Sequence, residues 1–442
     1  MTKARSAHFI GIGGAGVSAV AQVFHDQGGT VTGSDLRRSR YSDALVEHGI
    51  PVAIGHDAAN LGNPDVVVVS SAIPESNPEY AAALERGLTI WKRARMLAEL
   101  AGDRATLAVA GTHGKTTTST MLAVALDGIG LSPTFLIGGI SKDLGANGAS
   151  GTGPHYVVEA DESDGSFLFL APTVALVTNI EADHLDFYDG IEHVERTFAL
   201  FLERVVEGGC VVACADDPRL MRLVASCDRR AVTYGRSPDA DVRVLSFESH
   251  GLDSKFTVGL PDGRTLDVCL PVPGEHMALN ATGVLATLVA LDLDVEGGAT
   301  RLATFSGVRR RFDTLGEVGG VRVVDDYAHH PTEVAATLGA AHRAGFQRVW
   351  SLFQPHRYSR TEALAASSAR PSWTRTAWSS WTSTAPGRPP YPACRARRSW
   401  TRCSPGTLGP RSRTSRTVRT SWATSPTARD PATSSSPWAR AT

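Results

Sequence analysis

The sequence predicts an α/β protein made of three successive units, the first two nucleotide-binding in pattern, built on parallel sheets. Three observations carry this. Continuous Val/Ile runs such as DVVVVSSAI suit strands buried on both faces, as parallel sheets require. Glycine-rich turns follow two such runs directly, at HFIGIGG and at ATLAVAGTHGKTTT. Clusters of acids and histidines close several others, where open α/β sheets bind their ligands.

The first unit runs to about Gly102, with HFIGIG, TVTGSD and DVVVVSSAI as its strands. Gly11-x-Gly13-x-x-Gly16, which includes Gly14, precedes the helical pattern VSAVAQVF. Glycines there permit a tight turn and close backbone approach, placing a diphosphate at a helix N-terminus. Asp35 ends the next strand, about 20 residues on, where a ribose-binding acid is expected. A plain packing turn and a dehydrogenase are the rival readings of this motif.

The second unit opens on Gly111-Thr112-His113-Gly114-Lys115-Thr116-Thr117 and extends to about Gly316. Position 109 is Val, so this is a short GxxGKT loop. Backbone N–H groups of such a loop cradle phosphates, the lysine neutralises them, and the following hydroxyl holds Mg²⁺, which makes ATP the expected ligand. Glu159, Asp161, Glu162 and Asp164 follow the strand HYVV, and Asp183 and His184 follow VALVTNI. Any one of these acids can be a helix cap, but two such clusters beside a phosphate loop favour an Mg²⁺ site.

The third unit begins with the strand VRVVDDYAHHP and continues through FQRVWSLFQPHRYSRT. Arg357 and Arg360 could grip a small carboxylate bidentately, whereas Arg309, Arg310 and Arg311 read as an exposed face.

Composition narrows the class. No apolar stretch approaches the roughly 20 residues of a membrane span, and the N-terminus carries no signal-peptide pattern. The six cysteines lack metal-ligand spacing, and Cys210 and Cys214 read as core thiols, so a reducing cytoplasm is the expected location. The net charge of −1 conceals an asymmetry, since 13 of the 44 Lys and Arg fall in residues 367–442 beside one acid, Asp430. The rest of the chain is strongly acidic, which argues against nucleic-acid binding.

Residues 367–442 break the pattern. They hold six of the eight tryptophans and no Ile, Lys, Glu, Met, Phe, His, Asn or Gln. A disordered basic tail would be poor in tryptophan, whereas a frame shift in GC-rich DNA gives this composition naturally. Moving each codon back one base forces Asp from Trp381–Thr382 and Gly from Trp438–Ala439. It also permits strand-and-glycine-turn sequences from Ala377 to Cys394 and from Asp430 to Thr442, where the written residues show none. The sequence therefore predicts that residues 367–442 are mistranslated.

The ordered set GIGGAGVSAVA, SSAI, GTHGKTTT, EADESD, TNIEADHLDFY, ADDP, PGEHMALNA, RRRF, DDYAHHP and QPHRYSRT resembles the Mur ligases, in particular the L-alanine-adding branch. The resemblance covers residues 8 to about 366; Val17 and Ala19 stand where the family usually has Met and Gly. It implies a Rossmann-like UDP-sugar domain (1–103), a central P-loop ATPase domain (104–317) and a C-terminal Rossmann-like amino-acid domain (318–442), disrupted here. Lys115, Glu159 and His184 would be catalytic, and Thr116, Glu159 and His184 would hold Mg²⁺, with Asn179 close by. Besides the phosphate loop, His276, Asn280, Arg310 and Asp326 would contact ATP. The glycine loop, Asp35, Ser70 and Ser71 would hold the UDP portion, and His330, Arg357 and Arg360 the amino acid. The implied partners are UDP-N-acetylmuramate and L-alanine, for a monomer or weak homodimer. A sister ligase that attaches whole peptides, and a non-catalytic binder of the same sugar nucleotide, are the alternatives.

Overall fold

A computed structural model describes residues 4–70 and 73–354 and the backbone of the strand Thr376–Ser380. The first sheet has five strands, β1 (Ser6–Ile10), β2 (Thr30–Asp35), β3 (Val52–Ile54), β4 (Val66–Val69) and β5 (Ile90–Lys92), in the order β3-β2-β1-β4-β5. All neighbours pair in parallel. The run VVVV of β4 is buried throughout because the strand is covered on both faces. Helices α1 (Ala15–Asp26), α2 (Arg40–Glu47) and α3 (Pro78–Glu85) connect its strands, and α4 (Arg93–Glu99) leads from β5 toward the second sheet.

Beneath this sheet lies a fully buried acid. Glu79, in the first turn of α3, accepts hydrogen bonds from Ser34 Oγ (2.5 Å), Asn60 Nδ2 (2.8 Å) and the Asp57 N–H (3.1 Å), and lies 3.1 Å from His8 Nε2. Burial alone would raise its pKa, but these partners hold it down at about 2. A depressed carboxylate stabilises the fold above the unfolded-state value and loses that contribution as pH falls through the folded one. Glu79 is thus expected to contribute about 3 kcal/mol, lost between roughly pH 4.5 and 2. Acid titrations of unfolding for the wild type and Glu79→Gln should differ in slope across that window; identical slopes would exclude this role.

The second sheet has ten strands: β6 (Ala105–Ala110), β7 (Thr134–Leu136), β8 (Gly148–Ala149), β9 (His155–Glu159), β10 (Val174–Val177), β11 (Cys210–Cys214), β12 (Arg230–Gly235), β13 (Val242–His250), β14 (Asp253–Gly259) and β15 (Thr265–Leu270). Its order is β15-β14-β13-β12-β11-β10-β6-β9-β7-β8. The centre is parallel, while β13–β15 form an antiparallel meander and β8 an antiparallel edge. Around it lie α5 (Lys115–Gly128), α6 (Ile191–Glu203), α7 (Pro218–Ala225), α8 (Glu275–Ala290) and α9 (Val295–Leu302). Helix α5 is buried from Thr116 to Leu126, so the phosphate loop is anchored to the interior of the domain. Cys210 and Cys214 are buried in β11, as expected of core thiols.

The third unit departs from expectation in detail. Strand β17 (Val321–Asp325) pairs antiparallel with β16 (Asp313–Val318) as a hairpin, and α10 (Pro331–Arg343) leads to β18 (Val349–Phe353). The residues TAWSS, where the written chain was expected to form no strand, make β19 (Thr376–Ser380), parallel to β18. Thr and Trp favour extended backbone, and β18 offers an edge to pair with. Among the described residues the unit thus has two two-stranded sheets and no continuous Rossmann-like one. Val318, Trp350 and Leu352 are largely exposed. Apart from the β19 backbone, the frame reading of residues 367–442 lies outside the described residues.

Candidate functional site

The glycine loop after β1 and the segments that follow β7 and β9 line one cleft. In the glycine loop, Gly11 turns at φ +80° and the Gly13 N–H donates to Asp35 Oδ2 at 2.9 Å. A Cβ on Gly13 would stand 2.9 Å from that oxygen, so glycine is needed for the contact. Asp35 therefore braces the loop it was expected to complement. Asn147, beside β8, donates to the Ala15 carbonyl at 2.8 Å and ties α1 to the central domain. The cleft, about 370 Å³, is lined by Gly11, Gly14, Gly16 and Ser70 at one end and Gly138 and Glu159 at the other, with Arg93 beside Gly16. Arg93 was not singled out in the sequence; its position directly after the strand β5 was the available signal.

The phosphate loop is built by close packing. Gly111 (φ +126°) has no room for a side chain, since a Cβ there would lie 2.2 Å from Thr178 Oγ1. Gly114 (φ +83°) abuts Asn280, which projects from α8. The Asn179 side chain accepts from the His113 N–H (2.9 Å) and donates to the His113 carbonyl (3.1 Å), fixing the loop's crest. Lys115 Nζ donates to the Gly111 and Thr112 carbonyls (2.6 and 3.1 Å) and to Glu162 Oε1 (2.9 Å). Glu162 is itself buried, with Tyr188 Oη donating to its backbone carbonyl.

Burial opposes the charge on Lys115, but Glu162, Asp161 and Glu159 outweigh it and hold its pKa above the ordinary value. Burial also pushes Glu162 up to about 7 against the pull of Lys115. The pair is an ammonium held on a carboxylate whose charge burial disfavours. Nothing in the EADESD cluster distinguished Glu162 from its neighbours.

Thr116 Oγ1 donates to Glu159 Oε1 at 3.2 Å, and Glu159 Oε2 accepts from the Gly138 N–H at 2.7 Å. Two hard oxygens side by side at a phosphate loop fit Mg²⁺, which takes few protein ligands and keeps waters and phosphate oxygens for the rest. His184, at φ 54°, instead has Nε2 3.8 Å from Glu162 Oε1, on the lysine's partner. A Cβ on Gly138 would meet the Glu159 carboxylate at 2.4 Å. Gly138→Ala is therefore expected to displace Glu159 and weaken Mg²⁺-dependent turnover about 10–100-fold. Magnesium titrations of initial rate check this, and an unchanged half-saturation would count against Glu159 as a ligand.

The third unit reaches the same loop. Asp326 accepts from the Phe312 and Ala328 N–H groups, and burial raises its pKa despite them. Arg310 was expected to close the ATP site, but its Nε lies 3.3 Å from Asp325 and its guanidinium over Tyr327. Arg311 is the neighbour that approaches Thr116 Oγ1, at 3.4 Å. His330 caps α10, with its ring 4.5 Å from that of His113. Burial works against protonation of His113, yet Glu181 and Glu333 raise its pKa to about 9. A second cleft, about 910 Å³, is lined by Asn179, Glu181, Asp217, Leu279, His330 and Thr332, with Asn280 next along α8. His276, near the start of α8, is kept neutral by burial, its pKa lowered to about 4. Ser71, Arg357 and Arg360 lie outside the described residues.

Three segments match known domain families. Residues 6–105 match the Mur ligase family catalytic domain, 109–288 the Mur ligase middle domain, and 310–375 the Mur ligase glutamate ligase domain. The chain is 46% identical over 359 residues to UDP-N-acetylmuramate–L-alanine ligase of Geobacter sp. (strain M21), covering 81% of this chain and 78% of that one. The enzyme of the same name from Rhizobium meliloti (strain 1021) is 47% identical over 364 residues, covering 81% and 77%. Among solved structures, the UDP-N-acetylmuramate–alanine ligase of Thermotoga maritima superposes with a TM-score of 0.71 at 32% identity, covering 81% of this chain and 83% of its own. A murein peptide ligase from Psychrobacter arcticus superposes at 0.68 with 28% identity, covering 79% and 78%.

Proposed function

Because the chain belongs to the Mur ligase family, we propose a residue-level account of the reaction it catalyses, the ATP-dependent ligation of L-alanine to the carboxylate of UDP-N-acetylmuramate in peptidoglycan synthesis. The observation that carries the account is the continuity of the first cleft. Its lining begins at the glycine loop of one domain and ends at Glu159, beside the phosphate loop of the next.

The glycine loop, braced by Asp35, holds the diphosphate of the sugar nucleotide, with Arg93 as a cation on the cleft wall. The muramyl carboxylate then lies toward Glu159, near the ATP γ-phosphate. Gly111 to Thr117 wrap the triphosphate, and Lys115 leaves Glu162 for its oxygens. His276 and Asn280 flank the adenine nucleotide. Thr116 and Glu159 would hold Mg²⁺, with His184 nearby; bound there, the ion neutralises charge on the phosphates.

The carboxylate oxygen attacks the γ-phosphorus, the bond to the β-bridging oxygen breaks, and ADP departs from an acyl phosphate. The amine of L-alanine adds to the acyl carbon, loses a proton, and the tetrahedral adduct collapses with loss of inorganic phosphate. The protein's share is positioning and charge stabilisation. His330, with Arg357 and Arg360, is proposed to receive the amino acid, in a cytoplasmic enzyme.

The peptide-adding reading is favoured by the likeness to the Psychrobacter arcticus ligase. Phosphate release with UDP-N-acetylmuramate and ATP, driven by L-alanine or by a tripeptide, separates the two. L-Alanine should be the preferred substrate; preference for the tripeptide would overturn this assignment. The reading of residues 367–442 as out of frame is tested by sequencing the coding DNA across codon 366, where one continuous frame would refute it.

A further inference from the structure

The phosphate loop carries a histidine, His113, whose imidazole has no part in the account above. His113 Nε2 is buried and has no hydrogen-bond partner. It lies 3.5 Å from Glu181 Oε2, and His330 Nδ1 lies 3.8 Å from the same oxygen. One potential ligand atom from each of these side chains falls within 4.8 Å of the others, the only such group of three among the described residues. Tetrahedral zinc bonds of about 2.0–2.2 Å set neighbouring ligand atoms about 3.3–3.5 Å apart, so the cluster is close to a coordination shell without a cation in it.

The surroundings fit the same chemistry. His113 Nδ1 lies 3.2 Å from Glu333 Oε1. A carboxylate on the far nitrogen holds the ring with Nε2 turned to the cluster, the arrangement that orients metal-binding histidines, and a cation bound at Nε2 would displace the proton that Glu181 favours there. Thr332 Oγ1 donates to Glu181 Oε2 at 2.8 Å and fixes that carboxylate. The Thr332 N–H makes a long bond of 3.3 Å to His330 Nδ1, a weak capping contact that a metal ion on that nitrogen would displace.

We propose that His113, Glu181 and His330 form a binding site for a transition-metal dication of the Zn²⁺ or Co²⁺ class, separate from the oxygen donors Thr116 and Glu159. Two imidazoles and one carboxylate select such ions over Mg²⁺, which prefers oxygen. A fourth position stays open for water or an anion. The three ligands come from the phosphate loop, the segment after β10 and the cap of α10. A bound cation therefore staples the third unit to the phosphate loop and holds His113 away from other partners. The site stands on its own geometry and does not depend on the ligase assignment.

The test is a Co²⁺ titration of the full chain followed by visible absorption. One equivalent should give the d–d bands of four-coordinate Co²⁺ without thiolate charge-transfer bands. Zn²⁺ should abolish them, and a large excess of Mg²⁺ should not. These readings need no variant. His330→Ala and Glu181→Gln, checked for folding by circular dichroism, should lose the bands, and Glu333→Gln should weaken binding about 10–100-fold. Absence of d–d bands in the unaltered chain would overturn the proposal. So would displacement by Mg²⁺, thiolate bands, or bands that persist in folded His330→Ala and Glu181→Gln.

Discussion

Lys115→Ala should lower L-alanine-dependent phosphate release by at least about 10³-fold, because it removes the ammonium placed inside the phosphate loop. Its ammonium contacts two loop carbonyls and Glu162, so a triphosphate entering the loop meets a charge already in position. Lys115→Arg should restore little. The planar guanidinium cannot occupy the narrow space between the Gly111 carbonyl and Glu162. Initial rates together with calorimetric ATP binding would check this, since the loss should appear in both. Full turnover by Lys115→Ala would remove the lysine from the mechanism.

The second large effect is on stability. In Glu162→Gln the buried ammonium loses its direct counter-charge, and breaking a buried pair by deleting one partner costs about 3–5 kcal/mol. The nucleotide-free protein should melt several degrees lower. Saturating ATP should recover most of that loss, since its phosphates replace the missing carboxylate and ligand binding stabilises the folded form by mass action. Melting curves with and without ATP, for wild type and variant, give a direct comparison. An equal deficit in both conditions would mean that Glu162 serves the scaffold and does not hold the lysine in wait.

Much of the fold was legible because it is written in local pattern. The strands β1, β2, β6, β9 and β10 follow from apolar runs that end in glycine or acid, and the phosphate loop from its spacing. The meander β13–β15 was missed although VRVLSFESH and TLDVCL alternate in the manner of half-exposed strands. The buried pair of Lys115 and Glu162 was only half visible, since four acids compete for the role in one short segment. The set around His113 could not be read at all, because Glu333 lies 220 residues away and no local pattern links the two. Arg311, rather than Arg310, turns toward Thr116 because Arg310 is held at φ 63° with its side chain committed to Asp325 and Tyr327. In a run of three identical residues only the backbone decides which one faces inward.

The bond from Asn147 to the Ala15 carbonyl, with α1 packed beside β8, ties the glycine loop to the edge of the central sheet. That contact sets the separation between the proposed diphosphate seat and Glu159 in this structure. Such a spacing measures its substrate as a gauge does. An acceptor one bond too short leaves its carboxylate out of reach of the γ-phosphorus, and one too long must buckle. Discrimination by length would therefore precede any discrimination by chemical group, and nucleotide sugars lacking the lactyl arm would be bound but never activated.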